Sequence, residues 1–196
     1  MEMIKVKGVI EALLFVSDKP LSAEKMLEIL KDDVNKKDII GLIEELNAEY
    51  SKENRSFRIQ EIGQGYIVST ISEYADWIKK LYKSKIIPRL SKPALETLSI
   101  IAYRQPITRL EIEGVRGVNV GGVLQTLLER NLIKIRGRKE GLGRPLLYGT
   151  TNEFLQYFGL KDLTELPRIE ELSDVLAGGN KNDVTTGTQE IQENQN

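Results

Sequence analysis

The chain has 196 residues, 40% of them hydrophobic and 29% charged, with a formal net charge of −1. That length suits one domain or two small ones, and the composition is that of an ordinary soluble globular protein. Cysteine and histidine are both absent, which excludes disulfides and thiolate metal sites and removes the commonest general base and metal ligand.

No apolar run approaches the roughly 18 residues of a membrane span. Glu2 and Glu11 flank the first apolar stretch and no small-residue cleavage site follows, which argues against a signal peptide and for the cytoplasm. The charge is unevenly spread. Residues 1–90 carry 15 basic and 15 acidic side chains, residues 91–151 carry 10 and 5, and residues 152–196 carry 3 and 9. A near-neutral total therefore conceals a basic module followed by an acidic tail, an asymmetry that accompanies macromolecular binding.

The first predicted helix runs from Ile4 to Val16, with Val6, Val9, Leu13 and Val16 on one stripe and Ile10 and Leu14 widening it. Its apolar face is nearly twice the width a surface helix needs. Such a helix is either buried within its own domain or shared with a second subunit. Lys19-Pro20 breaks the chain, and Ser22 caps a second helix carrying Met26, Leu27, Ile29 and Leu30. Asn35 and Asp38 open a third, whose Ile39, Ile43, Leu46 and Tyr50 recur at helical spacing. Phe57 and Ile59, then Gly63-Gln64-Gly65, then Tyr66, Val68 and Thr70 read as two strands around a glycine turn. Three helices followed by a β-hairpin make a winged helix. Ser72 is expected to cap a further helix with Tyr74, Ile78 and Leu81, beside Trp77 and Tyr82. A basic connector interrupted by Pro88 follows.

The same order of elements then repeats. Leu95, Leu98 and Ala102 mark a helix ending before Gln105-Pro106. Thr108 and Glu111 form a capping box for a short helix that stops near Arg116-Gly117. Asn119 is expected to cap the third helix, with Val120, Val123, Leu124, Leu127 and Leu128 as its apolar stripe, and Asn131 suits its C-terminal end. Leu132 to Gly137 and Arg144 to Thr150 are strands around a basic glycine-containing loop, the second wing. Phe154, Leu155, Tyr157 and Phe158 suggest one more short helix. Beyond Leu172 large apolar residues nearly vanish, so the tail is expected to be disordered.

The fold class is therefore mainly α with small β-hairpins (α+β): two tandem winged-helix domains and a disordered C-terminal tail. The expected boundaries are 1–84, a linker over 85–92, 93–172 and a tail over 173–196.

No catalytic or metal constellation is visible, and no cofactor is expected. Glu44-Glu45 and Glu170-Glu171 are adjacent pairs that do not converge on one point. Gly137 to Gly143 superficially resembles a phosphate loop, but it joins two strands rather than a strand and a helix. Arg136, Arg138, Lys139 and Arg144 gather at the second wing, where they suit acidic side chains or phosphates. The preceding helix offers few base-reading side chains, namely Asn119, Gln125, Thr126 and Arg130. Gly121 and Gly122 leave its start bare for close approach by another backbone. Three readings of the wing remain open: a protein partner, nonspecific DNA, or a solvated hairpin.

Ala94 to Leu98, Ile101-Ala102-Tyr103-Arg104-Gln105-Pro106-Ile107-Thr108-Arg109, Glu111-Ile112-Glu113 and Arg116-Gly117-Val118 together resemble the second domain of the bacterial segregation and condensation protein B family. Leu127 to Arg130 with Leu132-Ile133, Gly143-Arg144-Pro145, Leu147 to Thr151, and Phe154 through Leu160 extend the resemblance. Glu11 to Phe15 and Lys19-Pro20-Leu21 are similar to the first domain. Coverage is about residues 4 to 172, dense in the second module and looser in the first. Val115 stands where the family pattern suggests isoleucine. The resemblance implies a homodimer joined through the first domains. It also implies capture of a kleisin subunit (segregation and condensation protein A), and through it an SMC ATPase, in a nucleoid-associated complex that condenses and partitions the chromosome. DNA contact would be weak or indirect. Val9, Ala12 and Phe15 are the candidate dimer contacts. Gly121, Gly122, Arg136, Arg138, Lys139 and Arg144 are the candidate partner contacts. The fold alone would also suit a DNA-binding transcriptional regulator.

Overall fold

Helix α1 (Met3–Val16) shows how the first lobe is organised. Val6, Ile10 and Leu14, four residues apart, are its buried side chains, and they pack on α3 (Lys36–Lys52). A spacing of four keeps side chains on one narrow face of a helix. Val16 is therefore left outside, and the expected stripe through Val9, Leu13 and Val16 is displaced toward Ile10 and Leu14. Helix α2 (Ala23–Leu30) begins where the Ser22 hydroxyl accepts from the Lys25 amide, and it buries Ala23, Met26 and Leu30. Ile29 faces out. Asn35 and Asp38 close a full capping box ahead of α3, which offsets orphan backbone donors at the helix start. Ile39, Leu42, Ile43, Leu46 and Tyr50 from α3 complete the core.

The hairpin β1 (Phe57–Ile62) and β2 (Gly65–Thr70) pairs antiparallel, with Phe57 opposite Thr70 and Ile62 opposite Gly65. Its two-residue turn holds Gly63 and Gln64 at φ 59° and 64°, the left-handed pair that matches the twist of a tight hairpin. Asn47 clamps the hairpin to α3 by exchanging hydrogen bonds with both backbone groups of Ile59, at 2.8 and 2.9 Å.

The structure is a computed structural model that describes residues 3–31, 34–82 and 89–168. The centre of the basic connector and the acidic tail from residue 169 lie outside the described residues, and with them the expectation of a disordered tail. Ser72 is not a helix cap. It starts a single 3-10 turn that leads into α4 (Ala75–Leu81), whose start has no side-chain cap.

The second lobe starts earlier than position 93, because Leu90 is buried and Ser91 caps α5 (Lys92–Arg104). Pro93 sits in the first turn of α5, where a missing N–H costs nothing. Thr97, Leu98, Ile101 and Ala102 face inward, whereas Leu95 faces out. Thr108 and Glu111 form the expected capping box of α6 (Arg109–Arg116), and Gly117 ends it in the left-handed conformation. Arg116 ties α6 to α5 through the Pro93 carbonyl, the Thr97 hydroxyl and the Glu96 carboxylate. Helix α7 (Gly121–Glu129) buries Leu124 and Leu127, and Asn131 follows it at φ 55°.

A short strand β3 (Ile107–Thr108) pairs with β5 (Leu146–Thr150), which pairs in turn with β4 (Ile133–Arg138). The sheet order is β3-β5-β4. The first lobe has the same feature in reduced form, a single antiparallel bridge between Leu21 and Tyr66. Neither was expected from the sequence. Helix α8 (Asn152–Phe158) is capped by Thr151 and buries Phe154 and Leu155. The first hairpin's turn meets the chain beyond α8: the Gly63 amide donates to Leu160 O at 2.9 Å, and Lys161 pairs with Glu61 at 2.7 Å. Both lobes belong to one compact unit ending at Glu165.

Candidate functional site

Two surfaces stand out, one per lobe. On α1 the buried stripe covers only part of the apolar girth. Phe15 is 83% exposed, and Ile4 and Val16 are nearly as open. Ile4, Gly8, Ala12 and Phe15 fall on one helix face at spacings of four, four and three. Among the described residues nothing lies within 4 Å of where a Cβ would stand on Gly8. A strip with large apolar ends and small residues between them lets another helix approach closely. Of the three candidate dimer contacts, Ala12 and Phe15 lie on this exposed face. Val9 does not: it is half-buried and packs against the lobe's own core. Beside the strip runs a groove of about 540 Å³ lined by Glu11, Ala12, Phe15, Tyr50, Arg55 and Phe57, among others. The Tyr50 hydroxyl donates to Glu11 there at 2.7 Å, and burial together with that carboxylate pushes the phenol well above its ordinary range.

In the second lobe the wing cations come together in sequence but not in role. Arg136 donates to the Thr150 carbonyl at 3.2 Å. Its stem lies over Gly149, where a Cβ would come within 2.9 Å of Arg136 Cγ. Arg138 donates to the Arg144 carbonyl and so braces its own loop. Lys139 reaches back to Glu111 at 2.6 Å. That ammonium, helped by the Thr108 amide and hydroxyl, holds the Glu111 carboxyl down at about 2. The Arg144 side chain, on a residue with φ 38°, is left without a partner among the described residues. Only part of the expected bank of free cations is therefore free. At the tip of the loop Leu142 is fully exposed.

The start of α7 is an organised junction. Arg109 bonds Glu113 at 2.8 Å and Asn119 at 3.1 Å. Glu113 accepts from the Val120 amide and Asn119 from the Gly121 amide. Val120, not Asn119, occupies the cap position, yet the Asn119 side chain still satisfies a free donor. The Arg109 guanidinium lies 3.1 Å from where a Cβ of Gly121 would be, so this glycine makes room for the protein's own arginine. Gly122 meets nothing among the described residues and is exposed.

Sequence reasoning missed two exposed apolar groups. Helix α4 buries none of its residues, with Trp77 69% and Leu81 75% exposed. Leu110 and Val118 are likewise open on the second lobe. The residue types were legible, but only tertiary packing decides which apolar side chains find cover. Among the described residues no cluster of three or more potential metal ligands occurs, and no helix is long and apolar enough to cross a membrane.

Comparison with known proteins places these surfaces in context. The chain is 49% identical to segregation and condensation protein B of Desulforamulus reducens over 85% of its own length and 91% of that protein's. It is 42% identical to the protein of the same description from Syntrophotalea carbinolica, over 89% and 87%. A crystal structure of a dimer of ScpB N-terminal domain complexed with ScpA peptide overlaps 41% of this chain and 99% of that one. Identity there is 30% and the TM-score 0.37. The model of the segregation and condensation complex subunit ScpB matches residues 8–169, and the chain belongs to that family.

Proposed function

We propose that this chain is a non-catalytic adaptor of a bacterial condensin-like complex, acting in the cytoplasm at the nucleoid. Two copies pair through the exposed face of α1. The second lobe holds the kleisin subunit, segregation and condensation protein A, which connects the pair to an SMC ATPase. The observation that carries the reading is the strip of Ile4, Gly8, Ala12 and Phe15, an apolar helix face left uncovered among the described residues. Isolated exposed apolar residues are ordinary, but a contiguous strip marks an interaction surface. A chain without cysteine or histidine and with engaged rather than converging charges supports an adaptor over an enzyme.

Partner capture by the second lobe is tested by calorimetry with the purified kleisin subunit. Reversing both Arg138 and Arg144 to Glu is expected to weaken binding by about tenfold or more, as for charge contacts at an interface. Unchanged affinity would remove the wing from that contact. A DNA-reading role would instead appear as tight binding to duplex DNA by the isolated chain, falling steeply as salt rises.

A further inference from the structure

Strand β4 is an edge strand. In the order β3-β5-β4 it has, among the described residues, a neighbour on one side only. After Ile133, every residue of β4 is exposed, and Ile135, an apolar residue, is 49% open. A free edge offers a row of unpaired backbone donors and acceptors, and proteins usually cover such an edge or guard it with charge and bulges. Both guards are present here. The register slips between Ile135 and Gly137, and Lys134, Arg136 and Arg138 make the strand uniformly basic. Lys134 has no side-chain partner among the described residues.

We propose that the free edge of β4 accepts an extended acidic segment of the kleisin subunit as an added strand. This rests on the reading that the second lobe holds that subunit. In strand addition the main chain supplies affinity and the alternating side chains supply selectivity. Acidic residues on the incoming strand would meet Lys134 and Arg136, while an apolar one would cover Ile135. The same cations argue against a second copy of this chain. Pairing two β4 edges would set Lys134, Arg136 and Arg138 against their own counterparts, and like charges directly opposite are destabilising. A nucleic acid could use the cations, but it has no peptide groups at strand spacing to fill the edge.

The test is hydrogen–deuterium exchange on the full chain, with and without the purified kleisin subunit. The amides of residues 133–138 that point away from β5 are expected to slow at least tenfold in the complex. Lys134→Glu, which leaves the backbone untouched, is expected to weaken capture by about tenfold. Capture with unchanged exchange in β4 would overturn the added strand while leaving the partner reading in place. Absence of any capture would overturn both. Protection of β4 in the free chain that grows with protein concentration would assign the edge to a second copy and so overturn the proposal.

Discussion

The first lobe leaves its surplus apolar surface on a helix, whereas the second leaves its surplus charge on a wing. Both are three helices and a hairpin, and both brace the second hairpin strand with a short extended segment, Leu21 in one and Ile107–Thr108 in the other. Their cores are equally well closed, with Ile10 and Met26 in one and Ile101 and Leu127 in the other fully buried. The shared topology accounts for folding. The lobes differ in what each leaves outside, and a shared fold does not by itself fix how either is used.

The comparison is broken most forcefully in the cores. Ile10→Ala and Leu127→Ala are each expected to cost about 2–5 kcal/mol in urea unfolding, the range for emptying a buried aliphatic site. A markedly smaller loss in one lobe would show that its core is not built as tightly as the other's. A smaller effect distinguishes the hairpins. Gly65 has the Pro20–Leu21 backbone 3.0 Å from its missing Cβ, whereas Gly149 has the side chains of Gln105 and Arg136 at 2.8 and 2.9 Å. Side-chain ends yield more readily than backbone, so Gly65→Ala should destabilise by about 1–3 kcal/mol and Gly149→Ala by less. The reverse order in thermal unfolding would mean that the Gln105 clamp on Thr150 matters more than the first lobe's bridge.

The two capping boxes should be nearly equal. Asn35→Ala and Thr108→Ala are each expected to cost about 1 kcal/mol by the same measurement. The smallest difference is electrostatic. Glu111 titrates at about 2 when folded, against an ordinary value of 4.5. A carboxyl with a lowered folded value stabilises the protein above its unfolded value and loses that contribution as pH falls toward the folded one. The stability gap between the wild type and Glu111→Gln should therefore be constant above pH 4.5 and close between 4.5 and 2. A gap that persists at pH 2 would mean that the ionised Glu111 carboxylate, held by Lys139 and Thr108, is not its source.

Local signals made most of the fold legible. Ser22, Asn35, Thr108 and Asn131 each declare a helix end through their own side chain or backbone preference, and Gly63-Gln64 declares a turn. Features joining distant parts of the chain were not legible. Strand β3 has two residues and pairs Ile107 with Tyr148 and Thr108 with Leu147, far along the chain, so no local periodicity announces it. The helix α1 pattern was ambiguous because it is apolar on most sides, and only packing against α3 and β2 decides that Val6, Ile10 and Leu14 turn inward. The wing cations could be placed together from their numbers, but not their engagements, since Lys139 meets a carboxylate 28 positions earlier. Val9 among the dimer candidates and Gly121 among the partner candidates show the same limit: one serves the core and the other its own Arg109.

Pairing of two copies is proposed for the exposed face of α1. Light scattering on the wild type and on Phe15→Asp tests it directly. The wild type should show twice the 22.2 kDa chain mass and the variant the mass of one chain, with the helical content of both unchanged by circular dichroism. A folded Phe15→Asp variant that keeps the doubled mass would rule out pairing through this face.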